Sequence, residues 1–267
     1  LVSTRIIPAT LSEVGGGLFG TLYPGGHKLT YEAYVVNGLG DGVIAAEGTR
    51  IAQGKRDDRF SADNNGVPSV VARVGYAAPP RPGRQIELGL SFYSGVYNTY
   101  QRDGLTIADP KWLHIVAWDG DFVLGPVTLR GELAYAHVEL PPGLTALHAS
   151  DQLGLYFEVS GAVFQVARRP AWFRVRLPEF FDQAALFLVA RLDYIDLNLN
   201  TRTAPAAGGG TEQLAAGDET TRLTVGLSLR PVPATALRVC YQHEWRTDPL
   251  GNPHRGGGVQ LGLASYF

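Results

Sequence analysis

The property that most narrows the fold is alternation. From residue 14 onward the chain repeats stretches of about ten residues in which apolar side chains take every second position. The clearest stretch is the last, 257–267 (GGVQLGLASYF). Val259, Leu261, Leu263 and Phe267 fall on one side, interrupted only by Ser265, while Gln260, Gly262, Ala264 and Tyr266 fall on the other. A period of two means a β-strand with unlike faces. No apolar run approaches the roughly 20 residues a membrane helix needs. That excludes a helical membrane protein but not a barrel, whose strands spread their apolar residues by alternation. In a barrel, a terminal Tyr-Phe reads as a closing strand carrying an interfacial aromatic, Phe267, at its end.

The same pattern predicts strands over 14–23, 29–36, 70–76, 86–93, 112–124, 127–135, 153–160, 186–194, 222–230 and 237–244. With the last one they make eleven. Short Pro/Gly connections at 24–27, 79–83, 125–126 and 231–233 alternate with long polar ones at 37–66, 95–110, 141–150, 201–218 and 248–256. Segment 168–182 is the one long connection on the short side, and 201–218, with its triple glycine, reads as a mobile loop. A soluble sandwich has shorter strands and no such rhythm. An outer-membrane barrel has short periplasmic turns and long outer loops.

The expected fold is therefore all-β: a transmembrane antiparallel up-and-down β-barrel with about eleven strands in this chain. Residues 14–267 make one domain, and 1–13 are the remnant of a preceding loop. Bacterial single-chain barrels have an even number of strands, so either at least one upstream strand is absent from this chain or one of the eleven is wrongly assigned; the complete barrel is expected to have roughly 12 to 16. Leu1 is not an initiator and no signal-like segment follows it, so a mature or truncated chain is expected.

The face opposite the apolar one gathers charge: Glu32, Arg73, Glu87, Asp119, Asp121, Arg130, Glu132, Glu158, Arg191, Asp193, Arg222, Arg230, Arg238 and Glu244. In a dry core so many charges are prohibitively costly unless all are paired. Lining water they cost little and bias which solutes pass. These fourteen are the pore-lining candidates, each of which could instead serve only as half of a wall ion pair. Tyr76, Phe92, Phe122, Tyr135 and Trp245, near strand ends, fit interfacial aromatic girdles.

Other chemistry finds little support. The glycines at 15–20 resemble a dinucleotide loop, but no strand precedes and no helix follows. The six histidines are scattered with no metal-ligand spacing, and no nucleophile motif of the GxSxG type occurs. No catalytic residue, metal or cofactor is expected. The single cysteine, Cys240, cannot form an internal disulfide and reads as a small buried side chain. A net charge of -2 gives no case for nucleic acid.

Several segments carry a family likeness: RLDYIDLN (191–198), TRLTVGLSLRPVPATALRVCYQHEW (221–245) and the GGGVQLGLASYF ending, with IELGLSFYSGVYN and LRGELAYAHVEL as earlier strands. In these the chain resembles Gram-negative outer-membrane porins, most like the phosphate-selective porin O/P group. The resemblance implies a bacterial outer-membrane location, contact with lipid, trimers, and passive diffusion of small hydrophilic solutes through a water-filled lumen. Phosphate selectivity would imply a ladder of lumenal Arg and Lys. Here six arginines are mixed with eight carboxylates, so the architecture and general porin activity are carried over, and the anion is not. The rival expectation is a barrel plugged by an inward fold of 37–66, with a structural or assembly role. An outer-membrane enzyme ranks below both.

Overall fold

In the computed structural model the alternating stretches become one sheet. The structure describes residues 6, 13–45, 48–49, 51, 65–146, 148–165, 184–199, 201–205, 209–215, 217–232, 234–248 and 251–265. The sheet strands are β1 (Gly15–Leu22), β2 (Lys28–Val36), β3 (Ser69–Ala77), β4 (Arg84–Val96), β5 (Trp112–Leu124), β6 (Val127–Val138), β7 (Asp151–Gln165), β8 (Ala185–Asp196), β9 (Glu219–Val232), β10 (Thr235–Thr247) and β11 (Pro253–Ser265). They pair in chain order, each antiparallel to the next. The result is an eleven-stranded up-and-down sheet. It is not closed: among the described residues β1 pairs only with β2, and β11 only with β10.

Turn chemistry explains the short connections. Gly83 and Gly125 hold φ of 68° and 63°, values open to glycine at no steric cost. Of the longer connections, 97–111 contains a two-stranded hairpin, Gln101–Arg102 with Leu105–Thr106. Its tip, Asp103 and Gly104, takes positive φ at both positions, as a tight hairpin turn requires. The stretch expected as a mobile loop, 201–218, contains a second hairpin, Thr201–Pro205 with Thr211–Ala215. Gly209 and Gly210, just before its second strand, take φ of 83° and 90°. Segment 168–182, Phe267 and most of 1–13 lie outside the described residues.

Cross-strand register keeps the two faces separate over the whole width. One face carries Leu90, Val116, Trp118, Leu133, Phe157, Leu192, Val225, Leu227, Leu229, Leu237, Val239, Leu261 and Leu263, all exposed. Exposed aliphatic side chains in this density are the reverse of a water-soluble surface. The register shifts between Ala162 and Phe164 in β7 and between Leu229 and Val232 in β9, near the short-turn end.

The core lies on the other face, at the end with the long connections. There Tyr93, Leu113, Ile115, Ala117, Ala134, Ala136, Val138 and Ile195 form an apolar patch. The connection 37–66 was expected as a polar loop, yet part of it covers this patch. Leu39, Val43 and Ile51 are fully buried against it, as is Ile6. Burying such a side chain contributes about 1.5–3 kcal/mol, and several together outweigh the ordering of a short segment. Small residues at 117, 134 and 136 leave room for the cover.

Substituting Val43→Asp places a carboxylate in a buried apolar cluster. A cost of about 3 kcal/mol shifts the seated-to-released ratio roughly a hundredfold. Limited proteolysis should then cut within 37–66 while leaving the strands intact; unchanged cleavage would show that the cover is not held by this cluster.

Candidate functional site

All fourteen charged candidates lie on one face, the face that carries the apolar patch at its far end. Register assembles them into rows. One row runs Asp119, Glu132, Tyr156, Asp193, Arg222, Glu244 from β5 to β10. The next, two residues nearer the short turns, runs Glu87, Asp121, Arg130, Glu158, Arg191 from β4 to β8. Glu32 and Arg73 face each other across β2 and β3. Arg238 and then Arg230 lie nearest the short turns, on β10 and β9.

Most of the arginines are neutralised by carboxylates on the same or a nearby strand. Arg130 donates to Asp121 at 2.7 Å and Arg222 to Glu244 at 2.5 Å, each directly across one strand pair. Arg191 donates to Asp193 at 2.8 Å, lies 3.7 Å from Glu158, and packs its guanidinium 3.8 Å from the Tyr156 ring centre. Arg246 reaches Asp218 at 3.6 Å. Glu32, Glu87 and Glu132 make no ion pair among the described residues, although Gln85 donates to Glu87 at 2.8 Å.

Arg73 is different because its partner is two strands away. It forks onto Asp119 at 2.6 and 2.9 Å and also donates to Ser91. To do so it crosses β4 above Gly89, where a Cβ would collide with both the guanidinium and the Asp119 carboxylate. Glycine at 89 therefore provides the passage for the ion pair.

The cover over the apolar end is held by polar latches. The Leu39 N–H donates to the Tyr93 hydroxyl at 2.9 Å, which donates to Ser69 at 3.1 Å. Gly38, at φ 80°, lies so close to Ser69 that no side chain fits. Asp41 accepts the Thr99 N–H at 2.8 Å and its hydroxyl at 2.5 Å, and Asn65 donates to the Val96 carbonyl at 2.7 Å. Tyr97 donates to the Glu139 carbonyl at 2.6 Å. Burial, reinforced by the nearby Glu139 and Asp41 carboxylates, pushes the Tyr97 phenol up, so it stays a donor through the ordinary tyrosine range.

Two histidines that look isolated in sequence come together on the apolar face, at its long-connection rim. Ser94, His114, His137 and Asp151 face one another in a row across β4 to β7. Ser94 Oγ lies 2.9 Å from His114 Nδ1, and His137 Nδ1 lies 2.8 Å from Asp151. Trp112 stacks on His114. Shared strand parity with Trp112 and Tyr135 was the signal that could have placed them. Among the described residues, no group of three or more His, Cys, Asp or Glu could hold a metal ion. Compared with known proteins, the chain matches no family model and no curated sequence.

Gly89→Val should cost about 1–3 kcal/mol of stability through overpacking. Arg73→Gln, which removes only a half-exposed ion pair, should cost no more than about 1 kcal/mol. Urea unfolding followed by tryptophan fluorescence measures both; equal costs would mean that the crossing over Gly89 is not the constraint.

Proposed function

We propose that this chain forms the wall of an outer-membrane β-barrel, its apolar face toward lipid and its charged face toward water, which conducts small hydrophilic solutes. The inversion of the faces carries the reading: leucine and valine stand exposed on one side while ion-paired arginines and carboxylates line the other. The strands β4 to β11, of 12 to 15 residues, exceed the roughly 9–11 residues a tilted strand needs to cross a bilayer, while β1 to β3 are 8 or 9 residues long. Both edge strands run in the same direction, because they are separated by an even number of antiparallel steps. An odd number of further strands between β11 and β1 closes an antiparallel barrel of roughly 12 to 16 strands.

The buried cluster of Leu39, Val43 and Ile51 bears on how open such a lumen is. It removes the apolar end of the charged face from water, so the solute path narrows at the long-connection mouth. A barrel fully sealed there, with a structural or assembly role, is the second reading and draws on the same cluster.

Conductance in planar bilayers separates the two. The intact protein should pass a small current and the Val43→Asp variant a larger one. If neither conducts while both show the heat-modifiable gel migration of a folded barrel, the channel reading falls and the sealed barrel stands. Orientation is tested separately. Leu227→Arg, on the apolar face, should cost about 2–4 kcal/mol of folding into lipid vesicles, whereas Thr224→Arg on the charged face should cost little. Equal costs would sink the assignment of faces.

A further inference from the structure

Near the short-turn end the charged face holds a cavity of about 540 Å³ whose wall runs from β6 to β10. Arg230 and Arg238 stand in that wall, and unlike Arg73, Arg130, Arg191, Arg222 and Arg246 they have no carboxylate partner among the described residues. Arg238 is opposite Ser228 across the β9–β10 ladder. Ser228 is 7% exposed, and its hydroxyl, buried in the same wall, has no hydrogen-bond partner among the described residues. A buried hydroxyl left unsatisfied is uncommon and calls for a partner. Opposite Ser228 on β8 is Phe187, with Val189 two residues along the same strand. The Arg230 guanidinium lies 5.2 Å from the Phe187 ring centre.

We infer that this cavity is a binding site for a small organic carboxylate, its two oxygens held by Arg230, Arg238 and the Ser228 hydroxyl, its hydrocarbon part resting on Phe187 and Val189. Planar guanidinium forks match the two coplanar oxygens of a carboxylate. The apolar half of the wall gives a hydrated inorganic anion nothing to bind, but it suits a hydrocarbon body. The volume falls within the range of small-molecule pockets. The inference rests on the reading that this face is wet, and it names the solute class that the site would favour.

The chain carries its own reporter. Its one cysteine, Cys240, lines the same cavity. Its thiolate reacts with alkyl methanethiosulfonates, forming a mixed disulfide and releasing methanesulfinate. In vesicle-folded protein, the anionic sulfonatoethyl reagent should modify Cys240 roughly tenfold faster than the cationic trimethylammonium-ethyl reagent, after normalising to a free thiol, because two unneutralised arginines concentrate anions. Benzoate should slow the modification, and inorganic phosphate at equal concentration should not. Arg238→Gln should remove both effects. Arg238→Lys keeps the charge without the fork, so it should keep the reagent preference and lose the benzoate protection.

Equal normalised rates together with no benzoate protection would overturn the site, and protection by phosphate as strong as by benzoate would overturn the carboxylate assignment. The readout needs no current. Charge-selective labelling in a barrel that does not conduct would keep the site and discard the channel, and a conducting barrel without that preference would do the reverse.

Discussion

Everything in this fold depends on the cross-strand ladder holding its register. Side chains alternate with a period of two, so a slip of one residue between any two strands would exchange faces for every strand beyond it. Arginines and carboxylates would then stand among the exposed leucines. The ion pairs help to hold the register. Arg130 with Asp121 and Arg222 with Glu244 can meet only when their strands are in this alignment. Arg73 fixes three strands at once by crossing β4 to Asp119. Each exposed pair adds little energy alone, yet together they penalise every alternative register.

The strands were legible in the sequence because alternation is a local property. All eleven expected strands form in the expected order, and all fourteen charged candidates share a face, since parity alone determines which side a residue takes. The structure extends most strands past their expected ends. His137, for instance, continues β6's alternation past residue 135 even though it is polar. Turn residues were equally readable where glycine and proline cluster. Composition alone did not show that the chain around Gly209 and Gly210 pairs into a hairpin.

What alternation could not reveal was the change of chemistry along a single face. Glu132 and Ala136 have the same parity in β6, yet one lies in a charged row and the other under a hydrophobic cover. The cover came from a stretch that looked polar because Leu39, Val43 and Ile51 are spaced among glycines and charges. Likewise, no sequence rule tells a paired arginine from an unpaired one. Arg222 and Arg230 look alike on β9, and only the neighbouring strand decides that one meets Glu244 and the other meets Phe187.

The seated connection also orders events in time. Residues 37–51 leave the chain early, between β2 and β3, but the surface they cover extends to Ile195 in β8. A contact of such long sequence separation carries its loop-closure cost before it returns any stabilisation. Strand-by-strand pairing along the meander needs only neighbours. If strand pairing runs ahead of docking, the apolar patch stands bare until the cover seats, a sticky surface that the finished molecule hides.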